Sequence, residues 1–343
     1  MRKTLLATFG LVPCILLQPA KTQSTPQDDQ THLRMNVVLV QLSIAVTDGK
    51  GKYVNGLRPE NFEVTEDKIS QKISSFEEGS GSGADPDSPE SGRTDQVLQA
   101  TDSQSVDSQV KAASNALPEP HGNQASVFVL FDTSNYMYRG FVFAQDAITD
   151  FIRSMDNASR IAFYSYCRDL SRAMQLTSDH FRIVNAVRST VAGDDAALYN
   201  SLLLTVKDAA PLKGRKAIVV FSNGPDNASS VPPEDVAELA QSTGTIIYII
   251  STRQAEDDPA SAAAFERMSK VSGGKAYFAK NWLDEKKAFS SIREDLVHLY
   301  TLSYYPQANS NKGWRSIKVK LVGKDLQKYH LRTRDGYRLV AQR

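Results

Sequence analysis

Cysteine is scarce: the 343 residues contain two, Cys14 and Cys167. Cys14 lies in an apolar N-terminal run, so one thiol remains beyond it and no disulfide framework can hold the fold. Net charge is also nearly absent, with 40 Lys and Arg against 39 Asp and Glu for a formal +1. A sequence-independent phosphate binder needs clustered excess cations, so no nucleic acid partner is expected. The five histidines, His32, His121, His180, His298 and His330, are dispersed and have no metal-ligand spacing. No G-x-S-x-G elbow, P-loop or H-E-x-x-H occurs, and no G-x-G-x-x-G follows the first strand of the α/β region. A hydrolase or redox reading is therefore left without a catalytic constellation. The apolar run Leu5 to Leu17 contains Pro13 and is shorter than the ~20 residues a membrane span needs.

What is present describes an exported globular chain. Hydrophobic residues make up 41% and charged residues 23%, enough for more than one core. Arg2 and Lys3, the apolar run and Gln18-Pro19-Ala20 together read as a signal peptide over residues 1–22. Pro13 before Cys14 and Ile15-Leu16-Leu17 after it are wrong for lipid attachment. The expectation is a bacterial periplasmic or secreted protein with no transmembrane helix after cleavage, whose core must suffice without disulfides.

Residues 33–78 carry a period of two in Val38, Val40, Leu42, Ile44 and Val46, followed by turn residues and further short strands. This predicts a small β module. Residues 79–124 are rich in Gly, Ser, Asp, Gln and Pro and read as a flexible linker. Over 125–299, apolar runs at 126–131, 160–166, 216–221, 245–250 and 275–278 alternate with amphipathic stretches. That alternation predicts an α/β fold with a doubly wound, mostly parallel sheet covered on both faces. Beyond Tyr300 the helical period disappears. Residues 300–343 read as strands that pack with 33–78 into one sandwich-like module. Lys318, Lys320, Lys324, Lys328, Arg332, Arg334 and Arg338 are expected mostly on its solvent side, blunting sheet edges.

The run Val127 to Phe131 ends in Asp132-Thr133-Ser134-Asn135-Tyr136, which resembles the DxSxS loop of von Willebrand factor type A (vWA) domains. Gly193 to Asn200 resembles their G-G-T-A-L-Y-D loop, and Phe221 to Asn227 their S-D-G-x-D-N loop. Val54 to Asp67 resembles the V-x-G-L-x-x-x-D-F-x-V-x-E-D signature of VWFA-related secreted bacterial proteins, known chiefly from Acidobacteria. Tyr304-Tyr305-Pro306, Gly313-Trp314-Arg315 and Leu331 to Tyr337 are similar to the tail of that family. Each motif is weak alone, but the ordered set spans almost the whole mature chain.

The resemblance implies a vWA/Rossmann-like domain with a metal-ion-dependent adhesion site at the carboxyl ends of its strands. Of the five ligand positions Asp132 and Ser134 are kept, while Tyr136 replaces a hydroxyl, Ala196 a Thr and Asn223 an Asp. Candidate metal residues are accordingly Asp132, Ser134, Asn223 and Asp195, with Asp194 and Asp226 nearby. Mg²⁺ demands hard oxygen ligands in tight geometry, so Mg²⁺ or Mn²⁺ is expected to bind weakly if at all. Asn135, Tyr136, Met137, Tyr138, Tyr199 and Asp226 are the expected partner-binding rim. Cys167 beside Arg168 is the one candidate thiol, although a lone Cys is more often a small packed residue. The reading is a non-enzymatic module that binds a protein or envelope partner. The alternatives are a structural envelope component and, behind it, a hydrolase or redox enzyme.

Overall fold

The structure of the protein, a computed structural model, describes residues 39–79, 125–138, 140–155, 159–252 and 258–339. The leader expected at 1–22, residues 33–38 of the expected β module and, Gly79 aside, the linker expected at 79–124 lie outside the described residues.

A six-stranded sheet forms the centre, built from β5 (Ala125–Asp132), β6 (Arg160–Tyr166), β7 (Leu170–Thr177), β8 (Arg215–Ser222), β9 (Ile246–Thr252) and β10 (Ala276–Ala279). Its order is β10-β9-β8-β5-β6-β7. All neighbouring pairs are parallel except β6 with β7. Every residue of β5 and β8 is buried, as continuous apolar strands require when both faces are covered. Successive side chains point to opposite faces, so Val127, Val129 and Phe131 meet one helical layer while Phe128 and Leu130 meet the other. The first layer is α1 (Phe141–Ser154), α2 (His180–Arg188) and α6 (Trp282–His298). The second is α3 (Leu198–Ala209), α4 (Pro233–Thr243) and α5 (Pro259–Ser272). Each fully buried Leu, Ile, Val or Phe contributes about 2 kcal/mol, so these two faces dominate the stability of the domain.

Helix ends follow local chemistry. Asp179 caps α2 by accepting from Arg182 N, and Asn281 caps α6 by accepting from Leu283 N and Asp284 N. The chain leaves α4 through Gly244 at φ 68°, a left-handed position that favours glycine.

The sequence pattern does not announce β7. It is an edge strand with no fully buried residue, with Arg172 and Gln175 turned to solvent, so it lacks the apolar run that marks its neighbours. It pairs with β6 through two register irregularities, which also break a clean alternation.

The remaining strands are β1 (Val40–Thr47), β2 (Phe62–Glu66), β3 (Ile69–Gln71), β4 (Ile73–Glu77), β11 (Tyr300–Tyr304), β12 (Trp314–Leu321), β13 (His330–Arg332) and β14 (Gly336–Arg338). They form two four-stranded sheets, β13-β1-β11-β4 and β14-β12-β2-β3, whose pairings are antiparallel throughout. Both sheets interleave strands from before and after the α/β domain. Leu42, Ile44 and Leu302 of one sheet share an apolar cluster with Phe62, Val64 and Ile317 of the other. The two-residue loop Asp67-Lys68 takes φ 48° and 70°, the geometry of a tight hairpin turn. Between the sheets the buried Glu66 receives Arg315 Nη1 at 2.8 Å, Tyr304 Oη at 2.8 Å and Tyr337 Oη at 3.0 Å.

The basic residues of the C-terminal strands divide in two. Lys318, Lys320, Lys324, Lys328 and Arg338 are exposed, the first two as alternation along β12 requires. Arg332 and Arg334 correct the solvent-side expectation. Arg332 is half-buried and pairs with Asp295 of α6, and Arg334 is 6% exposed beneath the end of α4. Arg332 ends β13 and Arg334 lies two residues beyond it, where the chain runs against the α/β domain instead of water. Asp295 is itself 1% exposed and also receives Tyr53 Oη at 2.9 Å and Tyr248 Oη at 2.5 Å.

Asp295→Ala leaves Arg332 without its counter-charge and two tyrosine hydroxyls without an acceptor, so urea unfolding is expected to show a loss of about 3 kcal/mol with unchanged m. A loss below about 1 kcal/mol would show that solvent already satisfies this cluster. Lys216 titrates at about 8 in the fold against 10.5 unpaired, because burial and then the Arg334 charge disfavour its charged form. A lowered base binds fewer protons folded than unfolded, so its charge-burial penalty is complete below pH 8 and relieved above it. Stability of the wild type relative to Lys216→Met is therefore expected to rise from pH 8 to pH 10, and a flat difference would contradict this.

Candidate functional site

The loops after β5, β6 and β8 and the loop leading into α3 meet at the carboxyl ends of the strands. Backbone bonds stitch them together. Asn135 N donates to Asp194 O at 2.8 Å, Gly193 N to Thr133 O at 2.7 Å, Thr133 N to Tyr166 O at 2.8 Å and Ala197 N to Cys167 O at 2.8 Å. Gly193 is required by this closeness, since a Cβ there would lie 2.7 Å from Cys167 Cβ and Sγ.

At the centre is Asp132, fully buried as the last residue of β5. Its Oδ1 accepts from Ser134 N at 2.9 Å and its Oδ2 from Ser222 Oγ at 2.7 Å. Ser222 Oγ in turn accepts from Tyr166 Oη at 3.1 Å. Among the described residues no Lys or Arg forms an ion pair with Asp132, and burial pushes its carboxyl up from the usual range. Ser134 Oγ and Asn223 Oδ1 are buried without hydrogen-bond partners. Asn223 Nδ2 donates to Tyr136 O at 2.9 Å, which ties the β8 loop to the β5 loop.

The expected acidic replacements serve other groups. Asp195 pairs with Arg168 Nη2 at 2.8 Å. Asp226 accepts from Tyr199 N at 2.9 Å, Ser229 N at 2.8 Å and Ser229 Oγ at 2.6 Å, so it satisfies a donor at the start of α3 and closes its own loop. Ala196 is buried; its N donates to Asn227 Oδ1 at 2.8 Å and its O accepts from Asn227 N and Ala228 N. Among the described residues no group of three or more His, Cys, Asp or Glu is placed to hold a metal ion.

The rim residues separate by exposure. Tyr138 is 77% exposed, Asn135 is exposed and Tyr136 is half-buried. They line a cavity of about 900 Å³ with Gly193, Asp194 and Pro225. Met137, expected on the rim, is instead fully buried in the core of the α1 layer. The short 3-10 turn Asn135–Met137 rotates its third residue inward, and the sequence gives no sign of that rotation beyond the apolar side chain. Tyr199 is half-buried against the α3 layer, where burial pushes its hydroxyl up to about 12. Cys167 is partly exposed in a separate depression with Thr133, Asp169 and Ser189, and no histidine lines it.

Residues 126–291 match the family model of the von Willebrand factor type A domain. Comparison with curated proteins gives no match. Among solved structures, the chain is similar to the conserved hypothetical protein BatB from Bacteroides thetaiotaomicron, at 16% identity and TM-score 0.42, over 50% of this chain and 97% of that one. It is similar to a von Willebrand factor type A protein from Catenulispora acidiphila, at 11% identity and TM-score 0.44, over 58% of this chain and 63% of that one. The vWF domain of the type V pili tip protein Mfa5 from Porphyromonas gingivalis is similar at 12% identity and TM-score 0.42, over 50% of this chain and 94% of that one. The sheet order, the helical layers and the family match agree: residues 126–291 carry the von Willebrand factor type A fold.

Proposed function

We propose that this chain is a non-enzymatic, exported interaction module of the VWFA-related kind, whose rim recognises a protein or cell-envelope partner with little or no metal dependence. The observation that carries this reading is the cavity lined by Tyr136, Tyr138 and Asn135 at the carboxyl ends of the strands. Open α/β sheets present their binding loops there. Aromatic side chains on such loops offer large contact area with few rotamers to freeze. Among the described residues no helix is long and apolar enough to cross a membrane.

The remaining ligand positions do not fit a tightly held Mg²⁺. Asp132 supplies the one carboxylate, and both of its oxygens already accept hydrogen bonds. Ser134 Oγ and Asn223 Oδ1 are neutral, Ala196 offers a methyl group, and Asp195 and Asp226 are engaged elsewhere. A water can satisfy such neutral orphan oxygens, needing about two to four polar partners, whereas Mg²⁺ gives up its own waters reluctantly. The site reads as a degenerate metal-ion-dependent adhesion site. A nucleophilic role for Cys167 lacks support, since no histidine lines its depression to serve as base.

Calorimetry of the mature protein with Mg²⁺, Mn²⁺ and Ca²⁺ is expected to give binding weaker than about 1 mM. Capture of a partner from envelope extract is expected to survive EDTA and to fall about tenfold or more in Tyr136→Ala and Tyr138→Ala, the scale of a lost aromatic contact. Capture abolished by EDTA would overturn the metal-independent reading. No capture under either condition would favour a scaffold role.

A further inference from the structure

Opposite the rim, at the amino-terminal ends of the parallel strands, lies a second cavity of about 420 Å³. It sits where the α3–β8 and α4–β9 connections meet strand β1 and the β13–β14 connection. Lys216 and Arg334 both line it. They are 9% and 6% exposed, and among the described residues neither is paired with a carboxylate. The acidic group closest to balancing Arg334 is Glu66, which is already held by Arg315 and two tyrosine hydroxyls.

Each cation has a partial structural explanation. Lys216 Nζ donates to Ala210 O and Leu212 O, both at 2.9 Å, just past the end of α3. Arg334 Nη1 donates to Gln241 O in the last turn of α4, and Nη2 donates to Gln41 O at 2.9 Å. A helix C-terminus presents about half a negative charge, so two of them offset about one of the two positive charges. Arg334 also lies over the Tyr337 ring, 5.6 Å from its centroid, so the two cations are held by carbonyls, helix ends and a ring face but by no carboxylate. Arg334 Nε is also buried without a partner, a donor left over after the carbonyls are counted. A buried charge without a carboxylate is costly, and a guanidinium and an ammonium lining one cavity suit an oxyanion.

We propose that this cavity is a binding site for a small organic anion bearing a carboxylate or phosphate group, held by Arg334 and Lys216. Leu39, Val40 and Leu212 give it an apolar wall, and Ser43 and Ser242 add hydroxyls at its edge. The volume accommodates a small metabolite and excludes a folded partner. Burial lowers Lys216 to about 8, which leaves the amine mainly charged at neutral pH and ready to take an anion. The site is independent of the rim.

Calorimetry on the mature protein at matched ionic strength, with inorganic phosphate in one arm and succinate in the other, tests this. At least one is expected to bind saturably, and Arg334→Met and Lys216→Met are each expected to weaken it about tenfold or more, as loss of a charge-assisted hydrogen bond implies. A phosphate response alone assigns the phosphate class and a succinate response the carboxylate class. Phosphate stabilises proteins generally by exclusion from their surface, so melting temperature is not the readout. Because either variant could fail to fold, the wild-type protein is also titrated by amide NMR. The Gly214 and Gly244 resonances should move to saturation while those of Gly193 and Gly224 at the rim stay fixed. Absence of saturable binding by both anions, or shifts confined to the rim, would overturn the proposal.

Discussion

The buried carboxylate of Asp295 is the joint on which the two halves of the molecule depend. Removing a carboxylate from water costs several kcal/mol unless its lone pairs are filled. Here the donors come from three separate places: Tyr53 in the loop after β1, Tyr248 in β9 and Arg332 in β13. The charge is satisfied when the N-terminal strands, the parallel sheet and the C-terminal strands are all in place. That couples folding of the sandwich to folding of the α/β domain, so the two do not behave as independent beads.

Strand β11 gives the same coupling a backbone. It follows α6 after a single residue and lies between β1 and β4, with all five of its residues buried. The chain leaves the sandwich at β4 and returns at its neighbour. An inserted domain whose entry and exit are adjacent strands needs little distortion of its host. Tyr300 reinforces the junction, its hydroxyl donating to Val54 O at 2.8 Å and accepting from Leu57 N at 3.1 Å.

How much of this is readable from sequence depends on what each signal reports. β5 and β8 are legible because burial on both faces leaves no polar residue to interrupt the run Val127 to Phe131 or Ala217 to Phe221. The sandwich is legible because Ile317 and Leu321 alternate with exposed lysines. β7 is hidden, since an exposed edge strand has no face that must be apolar. Arg332 and Arg334 are hidden for a different reason: alternation assigns a side chain to a face of its own sheet and carries no information about another domain covering that face. At the rim, the ordered loops identify Asp132, Ser134 and Asn223 as neighbours of one centre. They cannot report that Met137 turns inward or that Asp226 is spent on Tyr199 N, because both depend on loop conformation.

The two ends of the sheet carry opposite unanswered charges, and the fold explains the sign of each. Helices that return between parallel strands run opposite to them, so helix N-termini gather at the rim and C-termini at the base. The field of about half a charge per helix end favours carboxylates at the rim and cations at the base. It is not enough at either end: burial still pushes Asp132 up, and it pulls Lys216 down to about 8 and Arg334 down to about 10. The remedies differ. A raised carboxyl can be neutralised by a proton, and Ser222 and Ser134 already supply hydrogen bonds to it. A guanidinium pulled down to about 10 keeps its proton at neutral pH, so it is answered by carbonyls and by any anion that arrives, not by proton loss. Asp132 can thus be neutralised in place, whereas Lys216 and Arg334, paired with no carboxylate among the described residues, point the search for a charged ligand to the base of the sheet.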